Sequence, residues 1–268
     1  MNKKKRFNQV CKNIKSIKIQ GAGEIAKAGF QAYKLIPTKS SKNKLLLLRP
    51  TEPMLANVLK LADKITYNQL IKKLKNNQEI INKKALKLIK NNSVIFTHCH
   101  SSTVINTLIY AKKKAKKFEV YNTETRPLYQ GRKTAKELKK AGIKITMFTD
   151  SALGIALSKE QGTKKANLVL LGADAITKKG IINKTGSEVI AQIAKANKIP
   201  VYIISDSLKY SSKKTKLEQR DFKEVWKNSK IKIKNPAFEF VKRKYITAII
   251  SELGTLSYKQ FLKKVKKI

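Results

Sequence analysis

Residues 168–187 have the sequence LVLLGADAITKKGIINKTGS, which combines a short apolar run, an acidic residue and a glycine-rich turn. A short, bounded apolar run such as 168–171 is typical of a core strand in a parallel sheet. Asp174 would then follow the carboxyl end of a strand, and open α/β sheets bind ligands at that edge. The stretch therefore predicts an α/β fold with a ligand site beside Asp174.

The second half of the same stretch predicts an anion site. The segment Asn183-Lys184-Thr185-Gly186 opens a second helical pattern, so its backbone amides and the Lys184 ammonium could face an anion at a helix N-terminus. A plain strand-turn-helix unit, with Asp174 as a cap and Lys184 at the surface, accounts for the local pattern equally well.

Charge is the most unusual global property of the chain. Its 268 residues include 60 Lys+Arg against 17 Asp+Glu, a formal net charge of +43. The electrostatic field of this charge attracts polyanions without regard to their sequence. Because the lysines are spread over almost every predicted helix, we expect nonspecific nucleic-acid binding at most.

No apolar run is long enough to span a bilayer and no secretion signal occurs, which predicts a cytoplasmic protein without membrane contact.

The chain changes pattern near residue 91. Apolar residues at helical spacing in 54–90 predict a helical N-terminal domain over residues 1–91. Strand and helix patterns then alternate, which indicates βαβ units and a Rossmann-like parallel-sheet domain over residues 92–268. The strand candidates begin near Val94, Phe118, Ile143, Leu168, Val201 and Tyr245.

Three of these strands end in polar clusters that should meet at one edge of the sheet. The clusters are THCHSST at 97–103, NTETRPLYQGR at 122–132 and GAD at 172–174. Ser101, Ser102 and Thr103 precede an apolar helix, so their hydroxyls and amides suit helix capping or phosphate binding.

Cys99 lies in the first cluster, near a helix start in a strongly cationic protein, which predicts a lowered thiol pKa. The alternative is a small buried hydrophobic residue. His98 and His100 are expected to be hydrogen-bonded core residues. With Cys11 as the other cysteine, neither a disulfide framework nor a structural zinc site of ordinary spacing is available.

Two further features lie near the N-terminus. Gly21, Ala22 and Gly23 precede a helical pattern, and such small residues let backbone amides approach an anion closely, although an ordinary helix start has the same pattern. Arg49 stands where Pro50 breaks one helix before the next begins.

The motifs THCHSS, ETRPLYQGR, DSA, GADAI, IINKTG, IPVYIISDSLKY, NPAFEFV and IISELG, in this order and spacing, resemble one family. It is the family of the alpha, beta and delta subunits of translation initiation factor 2B, which includes isomerases of ribose 1,5-bisphosphate and of methylthioribose 1-phosphate. The resemblance extends from about Ile14 to the C-terminus. Within the family, the segments IKIQGAG and THCHSS are most similar to those of the archaeal ribose-1,5-bisphosphate isomerases of nucleotide salvage.

The resemblance implies a helical N-terminal domain, a Rossmann-like domain and a homo-oligomer, either a dimer or a hexamer. It also implies that Cys99 and Asp174 are catalytic, that the substrate is a phosphorylated sugar, and that no metal or redox cofactor is needed. Gln20 replaces an arginine of the archaeal isomerases, which removes a bidentate cation from a phosphate site. The substrate contacts implied by position are Gln20, Gly21, Ala22, Gly23, Arg49, Ser101, Ser102, Thr103, Asn183, Lys184 and Lys209.

Aldose–ketose isomerisation needs one acid and one base. Burial beside Leu171 and Ile176 would raise the pKa of Asp174 and keep it a proton donor, while Cys99 as a thiolate would be the base. The cations Arg49, Lys184 and Lys209 suit a bisphosphate better than a monophosphate. The alternatives are a non-catalytic subunit that regulates initiation factor 2, and a methylthioribose-1-phosphate isomerase.

Overall fold

The chain begins with a group of helices that share a core. The computed structural model describes residues 2–213 and 217–267. Apolar faces of the first four helices pack together around Ile14, Ile25, Phe30 and Leu59. The helices before the first strand are α1 (Lys3–Lys15), α2 (Ala22–Leu35), α3 (Lys39–Leu48), α4 (Pro53–Leu61) and α5 (Tyr67–Leu86).

Strands and helices alternate after α5, as the sequence pattern predicts. The strands are β1 (Ser93–Thr97), β2 (Phe118–Thr123), β3 (Lys144–Phe148), β4 (Leu168–Leu171), β5 (Ala175–Ile176), β6 (Gly180–Lys184), β7 (Val201–Ile204), β8 (Phe238–Lys242), β9 (Ala248–Ser251) and β10 (Gly254–Leu256). The helices are α6 (Ser102–Lys113), α7 (Gln130–Lys140), α8 (Leu153–Leu157), α9 (Ser187–Ala196) and α10 (Tyr258–Val265).

The main sheet has the strand order β10-β9-β7-β4-β1-β2-β3, and only β10 is antiparallel to its neighbour. The chain moves outward from β1 to β3, returns to place β4 beside β1, and then moves outward the other way. This is the doubly wound order of a Rossmann-like sheet, with its switch point between β1 and β4. The sixth parallel strand begins at Ala248, because Arg243–Tyr245 forms a tight 3-10 turn before it.

A small antiparallel sheet, β5-β6-β8, was not predicted from the sequence. Asn183 and Lys184 lie at the end of its central strand, where Asn183 pairs with Glu239. The expectation that these two residues open a helix is wrong, since α9 begins only at Ser187. The reason is pairing with β8, a contact between distant parts of the chain that a local pattern does not reveal.

The N-terminal helices contact the main sheet at its carboxyl edge. The side-chain amide of Asn57 donates to the carbonyls of Leu208 at 2.7 Å and Tyr210 at 2.9 Å, and that of Asn77 donates to Asp206 at 2.8 Å. The end of α5 packs into the core of the sheet through Ile81.

The division of the chain into two domains at residue 91 stays a prediction. No helix in residues 2–213 or 217–267 is long and apolar enough to cross a membrane.

We predict that Gly131→Ala destabilises the protein. A Cβ at position 131, at the start of α7, would overlap the backbone carbonyl of Thr123 at the end of β2. Overpacking of this kind costs about 1–3 kcal/mol or more of the free energy of unfolding, which urea denaturation measures.

Gly154→Ala is the matched control. A Cβ at position 154, also in a helix, has no neighbour within 4 Å, so this change should be neutral or stabilise by up to about 1 kcal/mol. Equal effects of the two substitutions would contradict the close packing of α7 on β2.

Candidate active site

The site residues predicted from the sequence all lie on the wall of one cavity. The cavity has a volume of about 780 Å³ and opens at the carboxyl ends of β1 and β4, where the N-terminal helices meet the sheet. The predicted residues on its wall are Gln20, Gly21, Ala22, Gly23, Arg49, Cys99, Ser101, Ser102, Thr103, Asp174, Asn183, Lys184 and Lys209.

Cys99 follows β1 and is only partly exposed to the cavity. Its backbone has a φ of 63°, in the left-handed region that is strained for a residue with a side chain. The hydroxyl of Thr125 accepts a hydrogen bond from the Cys99 amide at 3.0 Å and helps to hold this conformation. A strained backbone that points a thiol into a cavity is a common feature of functional sites.

The expected lowering of the Cys99 pKa is wrong. Loss of hydration raises the pKa of the thiol to about 12, and the nearby charge of Lys184 offsets only part of this effect. Helix α6 begins beyond Cys99, with Ser101 as its N-cap, so the thiol does not occupy the position where the helix would stabilise a thiolate. Cys99 is therefore a neutral thiol near pH 7.

His98 is a buried, hydrogen-bonded residue, as expected. Its Nε2 lies 2.9 Å from the carbonyl of Thr185, so this nitrogen is the donor, and Nδ1 accepts from the hydroxyl of Thr123. Burial lowers the pKa of His98 to about 4, so the ring is neutral near pH 7. The His98 ring thereby ties the ends of β1, β2 and β6 together below Cys99.

Asp174 follows β4 and lies across the switch point from Cys99. Burial raises the pKa of its carboxyl, although the charges of Lys209, Arg49 and Lys184 act in the opposite direction. The predicted effect of burial on Asp174 is confirmed. The cavity therefore presents an acid that retains its proton above the usual range of an aspartic acid.

Three buried cations share the cavity wall with these two groups. Arg49 is 6% exposed, Lys184 7% and Lys209 8%. The Lys209 ammonium donates to the carbonyl of Ala173 at 2.7 Å. Among the residues that the structure describes, Lys184 has no ion pair, and burial lowers its pKa. A buried ammonium without a counter-ion indicates a site for an anionic ligand.

Arg49 is paired with two carboxylates. Its guanidinium lies 2.8 Å from Glu52 and 3.2 Å from Glu218. Within residues 2–213 and 217–267, the Nε of Arg49 and the Oε2 of Glu218 form no aligned hydrogen bond. A phosphate that binds Arg49 would therefore compete with a poorly oriented carboxylate.

The start of α9 is not an anion site. The carboxylate of Glu239 accepts hydrogen bonds from the amides of Gly186 at 2.8 Å and Glu188 at 2.7 Å, so a side chain of β8 already caps this helix. This part of the sequence-based expectation is wrong, because the pairing of β6 with β8 brings Glu239 to the helix end. Asn183 and Lys184 reach the cavity from the end of β6 instead.

Two other helices begin at the cavity. Gly21 is the N-cap of α2, with a φ of 81° and no side chain to bind the first amides of the helix. Ser101 is the N-cap of α6 and accepts only a long hydrogen bond, 3.5 Å, from the amide of Val104. Weakly capped helix starts of this kind are suited to anions.

Sequence reasoning missed several charged residues of the cavity wall, among them Glu52 and Arg220. Glu52 is the N-cap of α4 and is 3% exposed. Its place between two prolines beside Arg49 was the available signal. Arg220 lies in the irregular segment after β7 and pairs with Glu224 at 3.1 Å, and no local pattern indicated it. Of the cluster at 122–132, Gln130 lies on the cavity wall.

The fold and the cavity define a doubly wound α/β protein with a cationic, acid-bearing site at the switch point of its sheet. The model of the initiation factor 2 subunit family matches residues 38–258. The chain belongs to this family.

Relatives in the family carry several kinds of name, including methylthioribose-1-phosphate isomerase for a protein from Fervidobacterium nodosum that is 30% identical over 93% of this chain and 81% of that protein. A ribose 1,5-bisphosphate isomerase from Methanocaldococcus jannaschii is 34% identical, over 93% of this chain and 91% of that protein. A putative translation initiation factor eIF-2B subunit 2-like protein from Pyrococcus furiosus is 28% identical, over 92% of this chain and 95% of that protein. Among solved structures, the translation initiation factor eIF-2B from Pyrococcus horikoshii OT3 superposes with a TM-score of 0.83 at 26% identity, covering 94% of this chain and 97% of that one.

We predict that Cys99 reacts slowly with iodoacetamide. A raised pKa leaves less thiolate at every pH below about 12, so alkylation at pH 8 should be at least about tenfold slower than that of glutathione. Lys184→Met should slow it further, because the Lys184 charge favours the thiolate. Peptide mass spectrometry separates Cys99 from Cys11.

Lys113→Met removes an exposed lysine of α6 and is the control for the general positive field. It should leave the rate unchanged. Alkylation of Cys99 faster than that of glutathione would contradict the raised pKa.

Proposed function

We propose that the protein is an aldose–ketose isomerase that converts ribose 1,5-bisphosphate to ribulose 1,5-bisphosphate. The observation that carries the proposal is the position of Cys99 and Asp174 at the ends of the adjacent strands β1 and β4, on one cavity lined with buried cations. A protein that only binds a sugar phosphate would not need a thiol and a protonated carboxyl at the same edge of the sheet.

The charges of the cavity support a bisphosphate as substrate. A sugar bisphosphate carries about four negative charges near neutral pH, since the second phosphate pKa is about 6. Arg49, Lys184 and Lys209 are buried on the cavity wall, and two weakly capped helices begin there. Three cationic side chains and two helix N-termini suit two phosphate groups better than the single phosphate of methylthioribose 1-phosphate.

Asp174 acts in this proposal as the acid that opens the sugar ring. Its proton passes to the ring oxygen, the bond between C1 and that oxygen breaks, and the Asp174 carboxylate is left behind. The carboxylate then removes the proton of the C2 hydroxyl as C2 becomes a carbonyl. The same carboxyl therefore starts and ends the reaction protonated.

Cys99 carries the hydrogen between the two carbons. As a thiolate it removes the hydrogen of C2, a double bond forms between C1 and C2, and the thiol returns the proton to C1 when C2 becomes a carbonyl. The active form thus combines a thiolate of high pKa with a protonated Asp174, and it is a minor population. Lys184 increases that population, since its charge lowers the pKa of the thiol.

The names of the isomerase relatives support the reaction and the substrate in the proposal. The homo-oligomer, the cytoplasmic location and a role in nucleotide salvage stay predictions from the resemblance.

The proposal is tested by separating turnover from binding. Cys99→Ser and Asp174→Asn should each lower the turnover of ribose 1,5-bisphosphate by at least about 10²-fold, because each removes one partner in proton transfer. Calorimetric binding of the bisphosphate should stay within about tenfold of the wild type. Wild-type turnover by Cys99→Ser would contradict the proposal, and tight binding without any isomerisation would favour a regulatory subunit.

We predict that Lys184 binds phosphate directly. Lys184→Met should weaken binding of the bisphosphate by about 1.5–3 kcal/mol, the range of a charge-assisted hydrogen bond, as measured by calorimetry. Lys113→Met, which removes the same charge from the exposed face of α6, should have little effect. Equal losses would show that only the general field of the protein acts on the substrate.

A further inference from the structure

Two buried threonines lie on either side of the Cys99 backbone. Thr125 follows β2 and Thr134 lies in α7, and each is only 1% exposed. Neither threonine lines the cavity that holds the Cys99 thiol. Any effect of their hydroxyls on the reaction therefore has to pass through another residue.

The hydroxyl of Thr134 binds the carbonyl end of Cys99. It donates a hydrogen bond to the Cys99 carbonyl oxygen at 2.7 Å, while the Cys99 amide donates to the Thr125 hydroxyl at 3.0 Å. Side chains thus bind the backbone of Cys99 at both ends. With a φ of 63°, Cys99 has a conformation that a residue with a side chain keeps only when its surroundings enforce it.

The His100 ring sets the direction of the Thr134 hydroxyl. Its Nδ1 lies 3.2 Å from the Thr134 oxygen. Because the hydroxyl proton is donated to the Cys99 carbonyl, the Thr134 oxygen accepts from His100, and the Nδ1 atom carries the proton. The imidazole, the hydroxyl and the carbonyl form one chain of hydrogen bonds that ends on Cys99.

Both threonines lie on firmly held backbone. The side-chain amide of Asn122 in β2 donates to the carbonyl of Gly131 at 2.8 Å, which fixes the start of α7. The missing Cβ of Gly131 permits this close approach. On the other side of Cys99, the carboxylate of Asp150 accepts from the amide of Thr125 at 2.9 Å. The two hydroxyls are therefore fixed points against which Cys99 is held.

We propose that Thr134 is a positioning residue, which together with Thr125 holds the Cys99 backbone in the conformation that directs the thiol at C2 of the sugar. The inference rests on the proposed function for the use of the thiol, whereas the restraint on Cys99 does not. A reacting group displaced by about 1 Å can cost about 10²-fold in rate. Loss of the Thr134 hydroxyl should therefore lower kcat and leave substrate binding nearly unchanged.

Two measurements on Thr134→Val test this role, since valine keeps the shape of threonine without the hydroxyl. For ribose 1,5-bisphosphate, kcat should fall at least about tenfold, and the calorimetric dissociation constant should stay within about twofold. Alkylation of Cys99 by iodoacetamide at pH 8 should become at least about tenfold faster. The reason is that the held position raises the pKa of the thiol to about 12, so a released thiol returns towards an ordinary pKa. A purely structural role would produce neither change in the folded protein.

Three further variants complete the experiment. Thr134→Ser keeps the hydroxyl and should behave as the wild type in both measurements. Thr107→Val removes a buried hydroxyl of α6, which donates to the Thr103 carbonyl and to Asn82, and it should change neither. His100→Leu removes only the partner of the Thr134 hydroxyl, so both changes should appear at a smaller size, about threefold each.

An unchanged kcat of Thr134→Val, or an unchanged alkylation rate of its Cys99, would overturn the proposal. If Thr134→Val does not fold, the same two measurements on His100→Leu decide. Faster alkylation of the variant, in a protein whose wild type isomerises nothing, would confirm the restraint on Cys99 and overturn the proposed function. The two failures are therefore distinguishable.

Discussion

The parallel pairing of β1 with β4 is the contact on which the site depends. It joins Ile95 to Leu168, residues far apart in the chain, and it sets the point where the sheet reverses direction. Cys99 and Asp174 follow these two strands and so reach the same cavity. The N-terminal helices close the cavity from the other side through the contacts of Asn57 and Asn77 with the edge of the sheet. Sheet topology and helix packing thus assemble the site together.

Desolvation governs the chemistry of the cavity. It raises the pKa of Cys99 and of Asp174, and it lowers that of Lys184. Such shifts reduce the charge that the protein buries in the cavity, because neutral groups are less costly to bury than charged ones. The proposed phosphorylated substrate would supply a counter-charge for the lysines. Among the residues that the structure describes, Lys184 thus lines the cavity without an ion pair, beside an acid whose pKa is raised by burial.

Much of this arrangement could be predicted from the sequence, because local patterns carry it. The apolar run before GAD predicts β4 and places Asp174 at a strand end, and the THCHSST motif places Cys99 and Ser101 at another. The small sheet that holds Lys184, the capping of α9 by Glu239 and the pairing of Arg49 with Glu218 depend on distant contacts, which no local pattern contains. The thiol pKa was mispredicted because burial depends on the whole cavity and not on the sequence near Cys99.

The proposed isomerisation would place a second hydrogen on C1 of the sugar. The most direct measurement is NMR of ribose 1,5-bisphosphate labelled with ¹³C at C1, incubated with the purified protein. In the aldose that carbon bears one hydrogen, and in the ketose it bears two. The C1 signal should change from a methine to a methylene carbon with the wild-type protein, and it should not change with Asp174→Asn. Binding of the bisphosphate to the wild-type protein while C1 remains a methine would exclude the isomerisation.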